Sequence, residues 1–175
     1  RELERVLNAR ITPLLMREIL FGRKEGFKAV ISVNEEGYQK MLAKSFLVSA
    51  DNAHAIHPNH PEYSDSENAP KMNGGIVIKY NANQRYTTDA VSAALFKSVC
   101  KKADVKVQTF ANRSDLAVGS TLGSIANTLV PVKTVDIGLA QLAMHSAYET
   151  AGTHDIAALI KAMAVLFAEN EFSVQ

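Results

Sequence analysis

The stretch GGIVIKYNANQRYTTDAVSAALFKSVCKKADVKVQTF, Gly74–Phe110, decides the fold. Gly75 to Tyr80 is an apolar run bounded by Gly74-Gly75 and Asn81, which predicts a strand. Thr87 or Thr88 is placed to cap a helix, with Asp89 favourable in its first turn. Val91, Leu95 and Val99, with the Ala94/Ser98 pair, form the stripe expected to be buried. Val105 to Phe110 then alternates as a second strand.

Working outward, the same alternation of elements continues. Upstream, Glu35 to Lys44 reads as a helix and Phe46 to Ser49 as a strand running into Asp51. Before them, Val6, Leu7, Ile11, Leu14, Leu15, Ile19 and Leu20 keep near-helical spacing over Glu2–Leu20, interrupted by Pro13, and Phe27–Val33 reads as a short strand. Downstream, Ser124–Leu129 is a short helix and Val132–Ile137 a strand. Thr153 caps a last helix with Ile156, Leu159, Ile160, Met163 and Phe167 on one face. Ala53 to Asn73 carries Pro58, Pro61 and Pro70 and reads as a long loop, of a length that is usually functional or partly disordered. Strands alternating with helices predict an α/β fold with a mostly parallel sheet flanked by helices.

Composition narrows the functional classes. The 175 residues suit one domain, and 47% hydrophobic with 21% charged residues is ordinary for a globular chain. A formal net charge of +1, without a basic block, gives no reason to expect nucleic acid or an anionic membrane as partner. The single cysteine, Cys100, cannot form an internal disulfide, which fits a reducing, cytoplasmic setting. The chain opens at Arg1 inside a helical pattern and reads as a cut piece or as the back part of a longer protein.

The polar residues concentrate in SADNAHAIHPNHPEYSD, Ser49–Asp65, where Asp51, His54, His57 and His60 recur at every third position. Pro58 and Pro61 exclude a helix that would gather all four on one side. Asp51 follows a strand almost directly, and open α/β sheets bind ligands beyond the carboxyl ends of their strands; a helix cap is the structural alternative. His57 and His60 read as solvated or structural as readily as ligands, His145 in QLAMHSAYE as a partly buried histidine, and His154 as a helix-start residue. GSTLGS, Gly119–Ser124, could cradle an anion on its backbone N–H groups or be a tight strand-to-helix turn. It lacks a P-loop lysine. Glu35-Glu36 opens a helix and favours its dipole, while Cys100 reads as a packing residue.

Taken together, SADNAHAIHPNHPE, GGIVIKYNANQRYTTDAVSAALF, RSDLAVGSTLGS and TVDIGLAQLAMHSAYETAGTHD resemble the aspartyl aminopeptidase family, dinuclear zinc exopeptidases assembled as dodecamers. The likeness runs in order from about Lys44 to Phe167; residues 1–44 match poorly, which separates an N-terminal helical segment from residues 45–175. The resemblance implies zinc-exopeptidase-like folding of the C-terminal part of the proteolytic domain, with two zinc ions per complete site. It implies that Asp51 and His145 are ligands to different metals of the pair. It places His54 over the metal centre against substrate, Lys79 and Tyr86 in the substrate pocket, Gly119, Ser120 and Thr121 in the loop beside it, and Met144 before the metal histidine. It implies a peptide substrate with an acidic N-terminal residue, and a homo-oligomer. The family's other ligands, its bridging Asp and its Glu-Glu pair with the general base are absent; Glu35-Glu36 belongs to EEGYQKMLAKSFLVSAD, which resembles the helix before the Asp51 strand. The isolated chain is therefore expected to be inactive. Two rival readings stay open: a non-catalytic assembly piece, and another α/β enzyme with GSTLGS as an anion nest and Asp51 as base.

Overall fold

The computed structural model describes residues 34–169; the helix expected over Glu2–Leu20 and the strand over Phe27–Val33 lie outside them. The described chain runs α1 (Glu35–Ala43), β1 (Phe46–Ala50), β2 (Ala53–His54), a 3-10 turn at Pro61–Tyr63, β3 (Ile76–Tyr80), α2 (Ala90–Lys102), β4 (Val107–Ala111), α3 (Leu122–Leu129), β5 (Lys133–Gly138), β6 (Ala140–Leu142), β7 (Thr150–Ala151) and α4 (Thr153–Ala168). The main sheet has the order β1-β5-β3-β4, and β2-β6-β7 form a smaller one. β1 with β5 and β3 with β4 are parallel, as the alternation of strands and helices predicts, whereas β3 and β5 meet antiparallel. That central join involves strands far apart in the chain, so element order alone does not reveal its direction.

Successive residues of a strand point to opposite faces, and here the faces differ in kind. Ile76, Ile78, Val135 and Ile137 turn to one side, where they meet Ala93, Phe96 and Cys100 of α2 and Ala162 of α4 in the main core. Burying a side chain such as Phe96 stabilises by about 1.5–3 kcal/mol relative to exposure. Val77 and Phe110 turn to the other side and pack with Ala53, Ala55, Tyr86 and Ala140. By the same alternation, Lys79 and Asp136 belong to this second face, and both are buried.

Several local expectations shift. The cap of α2 is Asp89, not Thr87 or Thr88: its carboxylate accepts from the Ser92 N–H at 2.6 Å while Ser92 Oγ accepts from the Asp89 N–H at 3.0 Å, a capping box. Thr88 is recruited elsewhere, because its hydroxyl accepts the Asp136 N–H at 2.9 Å. The buried stripe of α2 is Ser92, Ala93, Leu95, Phe96, Val99 and Cys100, while Val91, Ala94 and Ser98 face outward. Both rows are apolar enough to serve; the one with the large Phe96 and small Ala93 fits against the sheet. β4 begins at Val107 because the Val105 N–H still closes the end of α2 on the Cys100 carbonyl at 2.9 Å.

α4 departs from its pattern in the same way. Its cap is Gly152, one residue before Thr153. Of the predicted stripe, Leu159 and Met163 pack against the core beside Ala158 and Ala162, but Ile156, Ile160 and Phe167 are exposed. The helix is apolar nearly all round, so periodicity cannot choose its inner face; a buried Asp155 does. Its carboxylate accepts the Asn73 and Gly75 N–H groups at 2.7 and 2.8 Å, tying the first turn of α4 to the start of β3. Gly75 holds φ +102°, and a Cβ there would stand 2.2 Å from the Lys106 carbonyl oxygen. The expected loop Ala53–Asn73 is mostly irregular, with β2 and the Pro61–Tyr63 turn inside it.

Candidate active site

A cavity of about 590 Å³ opens on the second face, lined by Asp51, His54, Lys79, Tyr86, Gly119, Ser120, Thr121, Met144 and His145 together with His57 and His60. Residues from five separate stretches of sequence thus share one wall system.

Asp51 leaves β1 directly, its N–H still bonded to the Ile137 carbonyl at 2.9 Å. Its carboxylate is exposed and lies 3.9 Å from Lys79 Nζ. Gly138 permits this placement, because a Cβ there would come within 2.0 Å of the Asp51 carbonyl oxygen. Lys79 is only 2% exposed. Its ammonium donates to the Asn52 carbonyl at 3.3 Å and stands 5.1 Å from the centre of the Tyr86 ring, an arrangement with cation–π character. Burial pushes the Lys79 pKa down, against the opposing pull of Asp51 and Asp136. Burial raises the Tyr86 phenol, whose ring packs on Phe110 at 6.2 Å.

His54 ends β2. Partial burial, then the neighbouring His145 and Lys79, lower its pKa, which favours a neutral imidazole able to accept a proton. His145 sits in a tight turn with φ +66°, after Ala143 at φ +54°. Such left-handed conformations are uncommon outside glycine and need support from the surroundings. Glu149 supplies part of it: its Oε1 accepts the His145 N–H at 2.6 Å. The same oxygen accepts from Gln141 Nε2 at 3.3 Å, and Gln141 Oε1 accepts from Asn52 Nδ2 at 2.6 Å. A polar chain therefore runs from the residue after Asp51 to the turn that carries His145.

The GSTLGS stretch also lines the cavity, where the strand-to-helix connection runs into α3. Thr121 caps α3 by position without a side-chain cap bond, because its hydroxyl donates to Asp136 Oδ1 at 2.6 Å. Of the remaining histidines, His57 Nδ1 accepts the Asn59 N–H at 3.2 Å, and His60 pairs with Glu62 at 2.9 Å. The His154 N–H donates to Asn73 Oδ1 at 3.0 Å, at the helix start. Cys100 lies in the core, its thiol pushed up to about 12 by burial.

Asn52, Gln141, Glu149 and Asp136 are the residues that sequence reasoning missed. Glu149 follows His145 by four residues and Asp136 sits in TVDIG, but no spacing rule links either to a pocket. Asp51 and His145 have the donor chemistry of zinc ligands, yet the described residues contain no group of three or more His, Cys, Asp or Glu side chains that could hold a metal ion. Catalytic zinc normally takes three protein ligands. The described residues are therefore too few to hold zinc unaided.

The model of the aminopeptidase I zinc metalloprotease family (M18) matches residues 9–167. The chain belongs to this family. It is 48% identical over 138 residues to a probable M18 family aminopeptidase 2 of Pseudomonas savastanoi pv. phaseolicola, covering 79% of this chain and 32% of that protein. A protein of the same description from Pseudomonas paraeruginosa is 46% identical over 136 residues, with 78% and 32% covered. Among solved M18 folds, the cryo-EM structure of the Ape4 and Nbr1 complex is similar at TM-score 0.75 and 36% identity over 90% of this chain and 28% of that one. The S. cerevisiae mApe1 dodecamer is similar at TM-score 0.68 and 26% identity over 90% and 34%. The chain thus spans about a third of the length of the M18 relatives it matches.

Proposed function

We propose that residues 45–175 form the C-terminal part of the catalytic domain of a zinc-dependent aminopeptidase, preceded by a separate N-terminal segment at residues 1–44. The substrate is a peptide with an acidic N-terminal residue, Asp or Glu. The observation that carries this reading is the cavity in which a buried Lys79 ammonium stands beside Asp51, with His54 and His145 lining the same space. Asp51 and His145 would each hold one of two zinc ions, completed by donors that the described residues do not supply. Bound there, the metals would supply Lewis-acid polarisation of the scissile carbonyl and an activated water.

The chain's own residues then have distinct tasks. Lys79, already desolvated, pairs with the acidic side chain of the substrate, an interaction strengthened by the low local dielectric. His54 contacts the substrate above the metals as a neutral imidazole. Tyr86, Gly119, Ser120 and Met144 shape the pocket around it. The general base lies outside this chain, as do the bridging carboxylate and the remaining ligands. A homo-oligomer, dodecameric like the mApe1 assembly, and a cytoplasmic setting complete the proposal. Among the described residues no helix is long and apolar enough to cross a membrane.

The test has two parts. The purified chain with added Zn²⁺ is expected to show no turnover of aspartyl or glutamyl p-nitroanilide; turnover would sink the missing-ligand argument. Nuclear magnetic resonance titration with aspartyl-alanine should shift the Lys79 and Tyr86 signals, and asparaginyl-alanine should not. Equal responses would remove the acidic preference. A second reading, a non-catalytic assembly piece, is favoured by the exposed Leu122, Ile125 and Leu129 of α3 and Ile160 and Phe167 of α4. A metal-free homo-oligomer on size exclusion, inert to both dipeptides, would select it.

A further inference from the structure

We propose that Asp136 is a positioning residue: its single carboxylate fixes the two loops that wall the pocket relative to each other. This rests on the reading that the pocket takes the peptide, and it adds a residue to which that reading assigned no role. Asp136 lies in the middle of β5 and is fully buried. Its Oδ2 accepts the Thr87 N–H at 2.6 Å, one residue after Tyr86. Its Oδ1 accepts the Thr121 hydroxyl at 2.6 Å, one residue after Ser120. The Asp136 backbone N–H donates to Thr88 Oγ1 at 2.9 Å, which doubles the tie to the first loop.

Steric evidence points the same way. A Cβ on Gly123 would stand 2.6 Å from Asp136 Oδ1, so glycine lets the first turn of α3 rest on the carboxylate. The antiparallel ladder pairs Val77 with Gly138 and Ile78 with Ile137, which sets Lys79 opposite Asp136 on the same face. A buried carboxylate is unfavourable unless its oxygens are satisfied, and bonds to an ionised acceptor are about twice as strong as neutral ones. The charge therefore draws in the nearest donors, and those donors belong to the two walls. Tyr86 and Ser120, themselves on irregular backbone, take their places from a side chain anchored in the sheet.

Amide hydrogen exchange on the whole chain tests this without any ligand. Asp136→Ala should speed exchange at Thr87 and across residues 119–123 by roughly tenfold or more, while β3 and the rest of β5 keep their protection. Asp136→Asn should restore protection to within about threefold, since its Oδ1 can still accept from Thr87 and its Nδ2 can donate to a reversed Thr121 hydroxyl. Thr121→Val should loosen residues 119–123 and leave Thr87 protected. Uniform loosening of loops and core strands in Asp136→Ala, or unchanged protection at Thr87, would overturn the proposal. Should Asp136→Ala fail to fold, unchanged exchange at residues 119–123 in Thr121→Val overturns it equally. The functional arm is titration with aspartyl-alanine: Asp136→Ala should bind at least about tenfold more weakly than wild type, and Asp136→Asn nearly as well. Absence of binding by the wild-type chain would refute the peptide reading, whereas the tie is decided by exchange alone.

Discussion

The two faces of the main sheet are made from alternate residues of the same strands, yet they obey different rules. On one, Ile76, Ile78, Val135 and Ile137 meet α2 and α4 in the main hydrophobic cluster. On the other, Lys79 and Asp136 are buried between short loops, and the cavity opens there. Asn112 Oδ1, in the cavity wall, and Thr87 Oγ1, beside Tyr86, are buried without a hydrogen-bond partner among the described residues. The first face holds the fold together by apolar area. The second spends stability on placing charge, which is the usual signature of a site rather than of a core.

The sharpest way to break the contrast is at the apolar face. Phe96→Ala should destabilise the chain by about 3–5 kcal/mol, read from urea unfolding, because it empties the centre of the packed cluster. A loss below about 1 kcal/mol would mean that this face is not the principal core. Next comes the seam between strand and site. Gly138→Ala should cost about 1–3 kcal/mol and displace Asp51, since its Cβ would meet the Asp51 carbonyl oxygen at 2.0 Å; a crystal structure of the variant with Asp51 unmoved would contradict this.

On the charged face the sign reverses. Lys79→Met should leave stability unchanged or raise it by about 1 kcal/mol, because a desolvated ammonium is replaced by an apolar chain of similar length. The same variant should lose its response to aspartyl-alanine. A clear drop in melting temperature would show that Lys79 stabilises the fold and would narrow the contrast between the faces. The smallest effect at neutral pH concerns Cys100. Its folded pKa of about 12 exceeds the ordinary thiol value of about 8.5, so the folded state holds the proton more tightly. The resulting stability is present below the unfolded pKa and declines as pH rises from there toward 12, by up to about 1.4 kcal/mol per pH unit. Iodoacetamide at pH 8 should label Cys100 only as fast as the chain unfolds; rapid labelling of folded protein would show that the apolar face admits solvent.

How much of this was legible in the sequence depended on the range of the interaction. The strand–helix–strand reading of Gly74–Phe110 succeeded because period and turn residues are local signals. The pattern of α4 picks out Leu159 and Met163, which pack on the core, but also Ile156, Ile160 and Phe167, which are as apolar and stay exposed; Asp155, bonded across to Asn73 and Gly75, sets the orientation. The cap of α2 moved from Thr87 or Thr88 to Asp89 because β5 claimed the Thr88 hydroxyl. Asp51 and His145 stood out through motif resemblance, while Glu149, Gln141 and Asn52 did not. Their connection is a chain of hydrogen bonds between residues distant in sequence.

By itself, then, the amino-acid order determined the alternation of strands and helices, the near-neutral charge balance, membership of a recognisable family and the residue types offered to a site. Tertiary structure alone decided that β3 runs against β5, which rows of α2 and α4 face inward, and that one carboxylate in β5 serves both walls of the cavity. The physical reason is that periodicity and capping act within a few residues, whereas burial and hydrogen-bond satisfaction are settled only when distant segments compete for the same donors and the same space.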